Sequence, residues 1–223
     1  MHIEPGVVDG AKIVLSYATG AAVGAYTLKL AADTARNRGL ASLAARATLA
    51  TAAVFTFFEI LPHYPVGVSE VHFILGSTLF LILGAAPAAI GLALGLLIQG
   101  LFFAPFDLPQ YGINLTTLLV PLFSVQVLAR RVIALGTPYV DLKYSQALAL
   151  STAFQGGVVA WVAFWAFYGQ GFAAWQGIAT FSAAYSLVIL IEPLVDLAVL
   201  AGAKSLRGLP GSSLVTRRLF GAA

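Results

Sequence analysis

Three histidines and no cysteine stand in this sequence, and one of the histidines directly follows Met1. Methionine aminopeptidases remove Met1 only when residue 2 is small, so beside His2 the methionine is expected to stay and to carry the α-amine. That amine, with a pKa of about 8, and the imidazole, near about 6.5, both release a proton cheaply when a cation arrives. With the amide nitrogen of residue 2 between them, they are spaced to close two fused chelate rings. Three nitrogens in one plane suit Ni(II), Cu(II) and low-spin Co(II), which favour square-planar fields. His63 or His72 would supply a fourth. Manganese, magnesium and calcium prefer oxygen and would gain little. The turn residues Glu4-Pro5-Gly6 that follow would fold this segment back instead of letting it trail.

The rest of the chain must hold these groups, and its composition says where. Sixty per cent of the residues are apolar and only 9% are charged, with a mean hydropathy of +0.92. Soluble domains carry roughly 25% charged residues, so this pool cannot cover a water-exposed surface. The long runs of Ala, Leu, Gly, Phe and Val lack the alternation of outer-membrane strands, which predicts an all-α integral membrane protein. A span needs about 20 apolar residues. On that measure, spans are expected near 12–32, 41–60, 71–84, 87–104, 114–135, 145–169 and 174–203, in a single transmembrane domain with a basic cytoplasmic tail at 204–223. The tract 71–104 is too long for one span and just long enough for two short ones, broken within "GAAPAAIG", which holds Gly84 and Pro87.

Charge sets the count at about seven. With seven spans and the N-terminus outside, 11 of the 12 Lys and Arg residues fall at inner ends, Lys12 being the exception, as the positive-inside rule demands. The C-terminus is then cytoplasmic. His2, His63, His72, Asp107 and Asn114 all fall on the outer side. The first ten residues carry Glu4 and Asp9 and no positive stretch, so no signal peptide is expected. No phosphate-binding Gly-rich loop is present, since "GAKSLRG" lacks the first glycine at the required spacing. The net charge of +3 reflects topology and not nucleic-acid binding.

Other residues carry two readings each. His63, four residues after Glu59, is either a fourth ligand oriented by that carboxylate or an interfacial histidine. Asn114 either supports a metal site by hydrogen bonding or caps a helix. Glu192 and Asp196 flank Pro193 in the last span, where charge is costly. They form either a cation or proton relay, or a pair with basic residues or a partner subunit. Ala18, Ala21, Ala22 and Ala25, with Gly20 and Gly24, form a small-residue face that either docks a partner subunit or packs within the bundle.

The opening "MHIEPG" resembles that of the cobalt/nickel substrate-binding components of energy-coupling-factor transporters (the CbiM/NikM type). A second resemblance runs from His72 through Gly84 twelve residues later and Gln99 in an apolar helix to Gly112-Ile113-Asn114. The likeness implies seven helices, with an N-terminal segment inserted into the bundle from outside. It implies a metal held by the amine of Met1, nitrogens of His2 and the imidazole of His72. The chain departs from the pattern at Ser69-Glu70-Val71-His72, where the family has Ser-Gly-His, and at Ile113, where it has alanine. Glu70 would then add an oxygen donor or, preferably, sit at a helix N-terminus where negative charge is favourable.

The expectation is a non-enzymatic substrate-capture subunit for Ni(II) or Co(II) uptake in a bacterial or archaeal plasma (inner) membrane. It would hold no permanent cofactor and would depend on a transmembrane coupling subunit and cytoplasmic ATPase subunits. Whether cobalt for cobalamin synthesis or nickel is carried stays open. A stand-alone secondary metal permease and a structural subunit of a larger membrane complex are the alternatives.

Overall fold

A computed structural model describes residues 2–205. Met1 and nearly all of the basic tail expected at 204–223 lie outside the described residues. Among those described, seven α-helices form: α1 (Ile13–Arg38), α2 (Leu40–Phe55), α3 (Gly76–Leu83), α4 (Ala85–Phe102), α5 (Tyr111–Val132), α6 (Tyr144–Gln170) and α7 (Trp175–Ser205). Five stretches are long and apolar enough to cross a membrane, the last of them, Tyr144–Ser205, containing both α6 and α7. The chain is an all-α membrane protein in its architecture.

Small residues set how closely the helices meet. The Cα of Gly91 in α4 lies where an added Cβ would stand 2.4 Å from the Cβ of Ala50 in α2, and Gly20 of α1 packs against the backbone of Gly112 in α5. Lipid offers no hydrophobic gain for helix association, so such close contact supplies the attraction. On α1 the glycine side turns inward, while Ala18, Ala21, Ala22 and Ala25 are exposed.

The stretch expected as a helix over 71–84 differs from that expectation. Residues 64–71 form an antiparallel hairpin, β1 (Tyr64–Val66) with β2 (Ser69–Val71), in the register Tyr64↔Val71, Pro65↔Glu70 and Val66↔Ser69. Residues 72–75 continue without helical bonding, and α3 begins only at Gly76. Irregular backbone at membrane depth survives only where protein answers its polar groups. Here the N–H groups of Ile74 and Leu75 both donate to the Glu192 carboxylate of α7. Between α3 and α4 the chain turns at Gly84, whose φ of +95° a side chain would resist. Pro87 sits in the first turn of α4, where its missing N–H costs nothing.

Candidate metal centre

The N-terminal segment lies against β2, joined to it by a single bridge at Ile3 and turning away at Pro5 and Gly6. Ile3 bridges Ser69, and the N–H of Glu70 donates to the His2 carbonyl at 2.9 Å while that of Glu4 donates to the Val68 carbonyl at 3.1 Å. The Ser69 hydroxyl adds a second bond to the His2 carbonyl at 2.8 Å. On the other side, the N–H of Ile3 donates to Asn114 Oδ1 at 2.8 Å. Asn114 lies in the first turn of α5, past its start at Tyr111, so it tethers the N-terminal segment and does not cap the helix. Ile3, Val7 and Val8 are buried, and burial of such side chains favours the segment's seat by about 1.5–3 kcal/mol each. Gly169 of α6 makes room for it: a Cβ there would stand 1.9 Å from the Val7 carbonyl oxygen.

This seat places His2 beside His72, both almost fully buried, with ring centroids 6.1 Å apart. Phe58 presents its ring to both, 4.7 Å from His72 and 6.1 Å from His2, and closes the apolar wall. His72 Nδ1 lies 2.9 Å from the Phe73 carbonyl, which only a proton on that nitrogen can satisfy. The lone pair is therefore on Nε2, which is buried and has no hydrogen-bond partner. An orphaned basic nitrogen in an apolar site costs about 1–3 kcal/mol unless something fills it. Metal-binding histidines are oriented by this kind of bond from the second nitrogen to a carbonyl.

His2 Nδ1 meets Glu70 Oε2 at 2.6 Å. Burial, the largest influence, pushes the His2 imidazole down to about 4, so it is neutral at physiological pH. Burial pushes Glu70 up, but the bond from His2 and the nearby positive charges outweigh it and hold the carboxyl below its usual range. The contact is thus a neutral N–H donating to a carboxylate. His2, Glu70 and His72 each offer a ligand atom, and these lie within 4.8 Å of one another.

Glu70 is therefore not at a helix N-terminus. It sits on β2, and the hairpin turns it toward His2. His63 does not join this group: its Nδ1 faces the Leu61 carbonyl at 3.2 Å. The ligand expected at Met1 lies outside the described residues. Asp107, in the turn Pro105–Gln110, is 5% exposed and lines a small cavity with His2 and Asn114. From the sequence Asp107 is expected on the outer side with the histidines, whereas Phe58 carries no sequence signal for the site, because nothing in its local pattern points at residue 2.

Glu192 and Asp196 are also buried, but among the described residues they meet no Lys or Arg. Glu192 takes the two backbone N–H groups of the His72 loop, and Asp196 accepts from the hydroxyls of Ser77 (2.6 Å) and Thr78 at the start of α3. One turn of α7 thus clamps the segment that carries His72. Glu192→Leu is expected to strand both N–H groups at about 1–3 kcal/mol each. Thermal unfolding in detergent checks this: the midpoint should fall sharply, and Glu192→Gln, which keeps an acceptor, should recover most of the loss.

Comparison with known proteins adds to this geometry. A family model described as "CbiM: Cobalt uptake substrate-specific transmembrane region" matches residues 2–208. A solved structure described as a truncated transition metal transporter superimposes with a TM-score of 0.68, covering 90% of this chain and 97% of that one, at 21% identity. That likeness is one of fold. No curated protein matches the sequence significantly.

Proposed function

This chain belongs to the CbiM family of cobalt-uptake substrate-specific transmembrane regions, and on that premise we propose that it captures Ni(II) or Co(II) at His2 and His72. The observation that carries the reading is the buried Nε2 of His72, a lone pair without a donor beside a second imidazole. The Met1 amine and the amide nitrogen of residue 2 would complete a nearly planar nitrogen set with His2 Nδ1 and His72 Nε2. Such a set favours Ni(II) and Co(II) over Mg(II).

In this reading the ion and Glu70 meet at one atom. An entering cation takes the place of the proton on His2 Nδ1, and the ring takes up a proton at Nε2, so the imidazole stays neutral. The amide nitrogen releases its proton to water, so a dipositive ion meets one amide anion and one carboxylate. The net charge of the filled site is zero, which suits a low-dielectric interior. Glu70→Gln keeps the shape and removes that charge. It is expected to weaken nickel binding by about 10–100-fold, as changes beside metal ligands do. An unchanged affinity by calorimetry would remove Glu70 from the site.

Uptake would draw the ion from the outer face and release it inward with a separate coupling subunit and ATPase subunits, at a plasma membrane. The exposed Ala18, Ala21, Ala22 and Ala25 of α1 suit close approach by a partner helix. The engagement of Glu192 and Asp196 as clamps favours capture over a permease in which they relay cations. Titration calorimetry on the purified full chain in detergent tests the reading with NiCl₂, CoCl₂ and MgCl₂. One equivalent of nickel or cobalt, and no magnesium, is expected. No binding of either transition metal would overturn it.

A further inference from the structure

The opposite end of the bundle holds a cavity of about 330 Å³ whose wall includes Arg38, Arg46 and Arg130 and, among the described residues, no carboxylate. Arg38 ends α1 and Arg130 lies near the end of α5; both are exposed. Arg46 is different. It lies inside α2 and is 2% exposed. Its Nε donates to the Ser42 carbonyl at 3.1 Å and its Nη1 to the Leu83 carbonyl, the last of α3, at 2.7 Å. Its Nη2 is buried and has no hydrogen-bond partner.

None of the three arginines is in an ion pair among the described residues. Three like charges around one space repel, and a buried cation without a counter-charge is costly. The first residues of α4, an 18-residue helix, also line the cavity at Ala85 and Pro87. They add the positive end of a helix dipole. Gln126 contributes a further polar side chain.

We propose that this cavity binds a phosphate group, held by Arg46 from beneath and by Arg38 and Arg130 from the rim. Guanidinium matches phosphate oxygens in a two-pronged geometry that ammonium lacks. The cavity opens between helices at the bundle end where basic residues gather, the position at which such pockets take anionic lipid headgroups. A phospholipid headgroup and free phosphate share this chemistry.

Native mass spectrometry of the purified full chain tests it, after exchange into detergent with equal phosphatidylglycerol and phosphatidylcholine. The chain is expected to retain phosphatidylglycerol about tenfold over phosphatidylcholine. Joint replacement of the exposed pair, Arg38→Gln and Arg130→Gln, should abolish that preference while the thermal midpoint stays near native. Arg46→Gln should do the same where it folds. Displacement of the lipid by millimolar inorganic phosphate would support the same site with a soluble occupant. Equal retention of the two lipids with no phosphate binding, or a preference that survives the double substitution, would overturn the proposal. Nickel affinity is measured in parallel and should not change, so failure here leaves the metal site standing.

Discussion

His72→Ala is expected to weaken nickel and cobalt binding by at least about a hundredfold, or ~2.8 kcal/mol, with little change in fold. The substitution removes a buried nitrogen whose lone pair has no partner. It breaks only a single bond, that from Nδ1 to the Phe73 carbonyl. His63→Ala is the control. That imidazole faces the Leu61 carbonyl and stands apart from the cluster, so binding should stay native. Calorimetry of both variants beside a thermal midpoint separates a lost ligand from a lost fold. Native affinity in His72→Ala would mean that the metal sits elsewhere.

Gly169→Ala is expected to reduce metal binding by tenfold or more without touching any ligand. A Cβ there would lie 1.9 Å from the Val7 carbonyl oxygen and 3.0 Å from Val8 Cγ2. Backbone stands on both sides, so no rotamer change relieves the clash, and overpacking of this kind costs about 1–3 kcal/mol. The cheapest escape is for residues 2–8 to lift, because they are held by a few hydrogen bonds and three apolar side chains, whereas α6 is packed along its length. Lifting them draws His2 away from His72. Gly156→Ala, on the same helix, meets nothing within 4 Å and should bind normally. Binding in Gly169→Ala equal to that in Gly156→Ala would show that the N-terminal segment does not need its seat.

Much of the helical frame can be read from the residues alone, because uninterrupted apolar runs of span length have few alternatives. The break within 71–104 was also legible, as Gly84 lies in the stretch where it was sought. What could not be read is the chain between 63 and 75. Val71, Phe73, Ile74 and Leu75 look like the start of a helix, yet their backbone is answered from far away. The acceptor for Ile74 and Leu75 is Glu192, on the last helix, and the partner of Glu70 is His2, 68 residues earlier. Periodicity sees only near neighbours, so it offers a helix end for Glu70, and for Glu192 and Asp196 a relay, basic partners or a partner subunit. The positive-inside count takes Arg46 only as one of the basic residues expected at inner helix ends. That it is buried with a free nitrogen follows from packing against the α3–α4 turn, which no local pattern encodes. At the metal centre, His2 and His72 stand out by type and position and Asp107 by its outer loop, while Phe58 does not.

X-ray absorption at the nickel edge of the loaded, purified chain bears most directly on whether the inserted N-terminal segment and His72 share one ion. Two imidazoles within a shell of nitrogen and oxygen donors are expected, with one imidazole lost in His72→Ala and one in His2→Ala. A shell of oxygens alone, or a native spectrum unchanged by either substitution, would contradict it.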